Sequence, residues 1–95
     1  MIYQLFEIIE NRKRQPREGS YTNTLLDSGE DRILQKLGEE SVELIIAAAN
    51  QGDERLIEEF SDLIYHGFVL LASRDIPLGR IEKELERRHL RKREE

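Results

Sequence analysis

Ninety-five residues, 38% hydrophobic and 37% charged, make one small globular domain with a modest core for its surface. A formal net charge of −5 argues against a nucleic-acid partner, which calls for a basic domain. The absence of cysteine rules out a disulfide framework, a thiolate zinc site and a cysteine nucleophile, and no apolar run approaches the ~20 residues of a membrane span. Met1-Ile2-Tyr3-Gln4 lacks the basic start and apolar core of a signal peptide, so the expected location is the cytoplasm and no membrane partner is expected.

The periodicity predicts a first helix over Met1 to Arg14, with Ile2, Leu5, Phe6 and Ile9 on one face. Arg12, Lys13 and Arg14 suit its C-terminal dipole, and Pro16 prevents its continuation. After the polar connection Gln15 to Gly19 comes a short helix, with Ser20 or Thr22 as N-cap and Gly29 as its stop. Such a helix is too short to stand alone and must dock on the body. A helix start preceded by arginines suits a phosphate, so Arg17, Ser20, Tyr21 and Thr22 are candidate substrate contacts that order on binding. The plain alternative is an ordinary capped turn.

A long helix is predicted over Asp31 to Asn50, with Ile33, Leu34, Leu37, Ser41, Leu44, Ile45 and Ala48 as its apolar or small stripe. Gly38 inside it costs about 1 kcal/mol relative to alanine, which suggests a close approach to the backbone there. Asn50-Gln51-Gly52-Asp53 stops this helix and starts the next, over Asp53 to Asp75. Leu56, Ile57, Phe60, Leu63, Ile64, Gly67, Phe68, Leu70 and Leu71 cover more than one face of that second long helix. A helix apolar nearly all round must be buried nearly all round, and a chain this small has little material to do so. The economical solution is a homodimer in which two helical hairpins form a four-helix bundle. Ile76-Pro77-Leu78-Gly79 is a break, and Arg80 to Lys92 forms a last helix with Ile81, Leu85 and Leu90 inward. Its basic end, Arg87, Arg88, Arg91, Lys92 and Arg93, is a solvated, dipole-matched terminus, and His89 has no argument for function.

Two acidic words interrupt the long helices. Glu40 and Glu43 are three residues apart, as are Glu59 and Asp62, so each pair shares a helix face. Folding the hairpin back at Gly52 brings Glu43 level with the second word, so that four carboxylates converge across one seam. Four clustered negative charges repel unless a cation sits among them, and hard oxygen ligands without thiols point to Mg²⁺ or Mn²⁺. An inert solvated face is the plain alternative, but Glu59 and Asp62 interrupt the most apolar helix of the chain, where an unpaired charge is costly. Glu39 lies about 100° round the helix from Glu40 and is a second-metal ligand, a water-orienting base or simply solvated. Lys36 either meets a phosphate or pairs with Glu40. His66, one turn beyond Asp62, either contacts substrate or supports Asp62, or else is a hydrogen-bonded histidine of the dimer interface.

Glu39-Glu40-x-x-Glu43 followed by Glu59-x-x-Asp62 resembles the signature of the all-α nucleoside triphosphate pyrophosphohydrolases, the MazG-type superfamily. Ser20-Tyr21-Thr22, Lys36-Leu37-Gly38-Glu39-Glu40, Ala47-Ala48 and Asp62-Leu63-Ile64-Tyr65-His66 are similar to one branch, the phosphoribosyl-ATP pyrophosphohydrolases. The resemblance runs from about Ser20 to Arg88, and the acidic positions show no departure. It implies an all-α fold and Mg²⁺-dependent cleavage of the α–β phosphoanhydride of phosphoribosyl-ATP, the second step of histidine biosynthesis. Glu40, Glu43, Glu59 and Asp62 would be the metal ligands, and Glu39 and Glu40 the candidate catalytic pair. The cyclohydrolase often fused to this branch needs cysteines for zinc, so the expected form is the stand-alone one. A house-cleaning pyrophosphohydrolase for other nucleotides and a helical dimerisation module without activity are the alternatives.

Overall fold

The computed structural model describes residues 1–90. Five helices follow one another, α1 Ile2–Arg14, α2 Tyr21–Ser28, α3 Glu30–Asn50, α4 Asp53–Ser73 and α5 Leu78–Leu90, with no strand among the described residues. The expected all-α class holds. The expectations for Arg91, Lys92 and Arg93 lie outside the described residues, as does the one for the Leu90 side chain.

The α3–α4 hairpin is the body, and its turn depends on Gly52, whose φ of 85° is a left-handed conformation that a side chain would strain. α1 and α2 pack on it and close a small core of Ile9, Leu25, Ile33, Val69 and Ala72. Burying a side chain such as Ile9 contributes about 2 kcal/mol relative to leaving it in water. Phe6 meets Phe68 edge to face, with ring centroids 5.4 Å apart. Lys13 fastens α1 to the end of α4: its Nζ donates to the carbonyls of Ala72 (3.1 Å) and Ser73 (3.3 Å) and pairs with Asp75 at 2.7 Å. Asp75 sits at φ 56°, a conformation that aspartate tolerates better than most residues. It follows that α4 ends at Ser73 rather than Asp75.

Several apolar expectations fail within the single chain. Ile2 is exposed, and so are Ile81 and Leu85, because α5 touches the body only sparsely. The stripe of α3 also splits. Ile33, Leu37, Glu40, Leu44 and Ala47 turn inward, whereas Leu34, Gly38, Ser41, Ile45 and Ala48 face out. On α4, Ile57 and Phe60 are exposed, and Ile64, Gly67 and Leu71 are half-buried. Both sets repeat at alternating three- and four-residue steps, the spacing of a helix–helix seam. No packed neighbour among the described residues lies within 4 Å of where a Cβ of Gly38 would stand, so the close approach expected there is not made by them.

Candidate metal centre

Facing turns of α3 and α4 bring Glu40, Glu43 and Glu59 together: one carboxylate oxygen from each lies within 4.8 Å of the other two. Glu40 is 6% exposed and Glu59 3%, whereas Glu43 is open to solvent. Asp62, the fourth expected ligand, is exposed and stands at the rim, although its charge still reaches Glu40. Arg55, one turn before Glu59, donates to Glu59 Oε1 at 2.5 Å and to Glu58 at 2.5 Å, fixing the orientation of the buried carboxylate.

The electrostatics show how far three carboxylates are from independence. Burial first, then a proton shared with Glu59, then the charges of Asp62, Glu43 and Glu59 push the Glu40 carboxyl up to about 7. Sharing a proton with Glu59 and its negative charge also raise Glu43. Burial works to raise Glu59, but hydrogen bonds from Glu43 and Glu40 and the Arg55 guanidinium outweigh it, so this carboxyl is lowered. With all three ionised, Glu40 Oε2 and Glu59 Oε2 are buried without any partner. A buried anionic oxygen left unpaired is expensive, and either a proton or a cation relieves it. Oxygen donors alone, two of them orphaned and one open to water, fit a hard divalent cation that keeps part of its hydration shell.

A polar layer from α2 backs this centre. His66, 4% exposed, has Nδ1 2.9 Å from the Asp62 carbonyl and 3.8 Å from Glu40 Oε1. A carbonyl only accepts, so Nδ1 carries a proton, and Nε2 stands within hydrogen-bond distance of the Tyr21 hydroxyl, at 3.2 Å. The Tyr21 and Tyr65 rings stack at 6.1 Å, and the Tyr65 hydroxyl bonds to Thr22 Oγ1. Ser20 caps α2, accepting from the Asn23 amide at 3.2 Å. The Ser20 and Thr22 hydroxyls therefore hold the segment in place, and Tyr21 is the member that reaches the centre.

Glu39 faces solvent, accepting from Gln35 at 3.1 Å and pairing with Lys36 at 3.5 Å. Lys36 thus pairs with Glu39 and not with Glu40, because Glu40 turns inward. Arg17 lies before α2 in a separate pocket with Arg12. Sequence reasoning missed Arg55, although its position four residues before Glu59 is an ion-pair spacing. It also missed Asn23, whose role depends on the folded loop.

The family described as phosphoribosyl-ATP pyrophosphohydrolase matches residues 2–89. A protein named phosphoribosyl-ATP pyrophosphatase from Bacillus cytotoxicus is 51% identical over 88 residues, covering 93% of this chain and 82% of that protein. Proteins of the same name from Listeria monocytogenes serotype 4b and Clostridium botulinum strain Hall are 56% and 55% identical, covering 93% and 96% of this chain and 84% and 83% of their own lengths. The carboxylate cluster and these matches lie on the same stretch of chain, and the chain belongs to the phosphoribosyl-ATP pyrophosphohydrolase family.

Proposed function

We infer that this chain hydrolyses phosphoribosyl-ATP at its α–β phosphoanhydride, releasing phosphoribosyl-AMP and pyrophosphate, the second step of histidine biosynthesis. The observation that carries the reading is the Glu40–Glu43–Glu59 cluster with its two orphaned oxygens, in a member of this family. Glu40, Glu43 and Glu59 would hold Mg²⁺, with Mn²⁺ as the substitute, and Asp62 would join them from the rim. The bound cation would neutralise polyphosphate charge and polarise the phosphorus toward water.

The protein groups supply position. Arg55 keeps Glu59 aimed at the cluster, and His66, locked by the Asp62 carbonyl, packs against Glu40. Burial and its acidic neighbours push the metal-free Glu40 carboxyl up to about 7, and a bound cation would offset that charge and hold it ionised. Glu39 stands outside the cluster in open water, which suits a water-orienting base better than a ligand. Lys36, beside Glu39, and Tyr21, on His66, flank the centre and are the contacts for the polyphosphate and its nucleoside.

The two unburied seams on α3 and α4 support a homodimer, with the hairpins packed as a four-helix bundle. No helix among the described residues is long and apolar enough to cross a membrane, and we place this biosynthetic step in the cytoplasm. A substrate panel is the test. Mg²⁺-dependent pyrophosphate release from phosphoribosyl-ATP, with little from ordinary nucleoside triphosphates, supports the reading. Equal release from all of them indicates a house-cleaning enzyme, and no release with no metal binding indicates an inert helical module.

A further inference from the structure

A second feature lies behind the polar layer of α2. The end of α1 and the start of α2 border an open pocket of about 540 Å³ lined by Ile8, Arg12, Arg17, Glu18, Ser20 and Thr22. Among the described residues, Arg55, Arg74, Arg87 and Arg88 are held in ion pairs. Arg12 and Arg17 make no ion pair among the described residues. Arg12 donates from one terminal nitrogen to Asn11 Oδ1 at 2.8 Å, and its Nε is buried with no partner. Buried Asn23 clamps the backbones of both arginines: its Oδ1 accepts from the Arg17 amide at 2.9 Å, and its Nδ2 donates to the Arg12 carbonyl at 2.8 Å. The two guanidinium groups are thus carried on a backbone fixed in advance. Thr22 joins this pocket to the metal centre, because it lines the pocket while its hydroxyl holds Tyr65, next to His66.

The inference rests on the function proposed above. A phosphoribosyl-ATP molecule has two anionic ends, the triphosphate and the phosphomonoester of the added ribosyl group. The triphosphate would lie at the carboxylates, where a bound cation would offset its charge. The other end needs cations that the acidic cluster cannot provide. Arginine forks match phosphate oxygens two at a time. We propose that the Arg12–Arg17 pocket binds the phosphomonoester of the phosphoribosyl group and so sets the preference for phosphoribosyl-ATP over plain nucleoside triphosphates.

The test is steady-state kinetics on Arg17→Gln and Arg12→Gln, with ATP and ribose 5-phosphate as competitive inhibitors. A hydrogen-bonded charge is worth ten- to a hundredfold, so KM for phosphoribosyl-ATP should rise by about that factor with kcat nearly unchanged. Ribose 5-phosphate should lose inhibitory potency in step, while the inhibition constant of ATP, which lacks the phosphoribosyl group, stays constant. An Arg80→Gln control, equal in charge change, should move neither. Arg17 is exposed, so Arg17→Gln decides alone if the Arg12 variant does not fold. An unchanged KM in Arg17→Gln overturns the proposal, and so does an equal weakening of ATP, which would place the triphosphate in this pocket. Wild-type protein that releases no pyrophosphate from phosphoribosyl-ATP overturns the underlying function and the proposal with it. Release with an unmoved KM overturns the pocket alone.

Discussion

Glu59 combines almost complete burial, an arginine on one oxygen and nothing on the other. That combination is costly for a structural residue and reasonable for a ligand. Glu59→Gln should reduce turnover by at least ~100-fold, and Asp62→Asn should also cut it strongly. Asp62→Asn should leave the metal-free fold equally stable or slightly more so, because it removes one of several like charges. Mg²⁺ at a hundred times its dissociation constant should stabilise the parent by about 2.7 kcal/mol and do much less for either variant. Thermal melts with and without Mg²⁺ read this directly, and an equal shift in Asp62→Asn would remove Asp62 from the ligand set. Glu40 adds a pH signature. Its carboxyl is raised from about 4.5 to about 7, so between those values the folded protein binds more protons than the unfolded chain. The contribution of Glu40 is fully present below pH 4.5 and is lost as pH rises through 7. Urea melts of metal-free protein should show this decline, and Glu40→Gln should flatten it; identical pH profiles would show that Glu40 is not the raised group.

Among the elements, α2 has the most to do for its length. Eight residues bring Tyr21 to His66 and Thr22 to Tyr65, and fasten both arginines through Asn23. Ser20→Ala removes the cap and should cost about 1 kcal/mol, seen in urea melts. Amide exchange across α2 should quicken in the same variant, and unchanged exchange would mean that the side-chain bonds alone hold the helix. This element also marks the limit of what sequence shows. Ser20 as cap and Gly29 as stop are legible, since capping chemistry is local. The engagement of the Thr22 hydroxyl with Tyr65 is not legible, because it depends on how α2 docks. The long helices follow the same division. Residues three apart share a face on any helix, so Glu40 with Glu43 could be read from spacing. Asp62 standing at the rim depends on the rotation of α4 about its own axis, which spacing does not fix. For α5, periodicity marked Ile81 and Leu85 as apolar positions but could not say that they stay exposed in the single chain.

At the scale of the whole molecule, a single copy leaves an apolar surface that its own helices cannot cover. Ile45 is 65% exposed and Phe60 52%, each on one of the two seams. Phe68 is a poor probe of association because it packs on Phe6 inside the chain. Ile45→Glu should therefore dissociate a dimer without disturbing the core, and light scattering should show the mass fall by half while helical circular dichroism persists. A folded monomer in the parent protein at micromolar concentration would remove the basis for the bundle. On the proposed function, seams, carboxylates and arginine pocket would form one device, in which a bundle would hold the acidic centre and α2 would present the substrate to it. The most direct test is pyrophosphate release from phosphoribosyl-ATP by the parent protein, with and without Mg²⁺, beside Glu59→Gln. The account predicts release that requires the cation and nearly vanishes in the variant. Release that persists in Glu59→Gln, or that proceeds undiminished without any divalent cation, would contradict it.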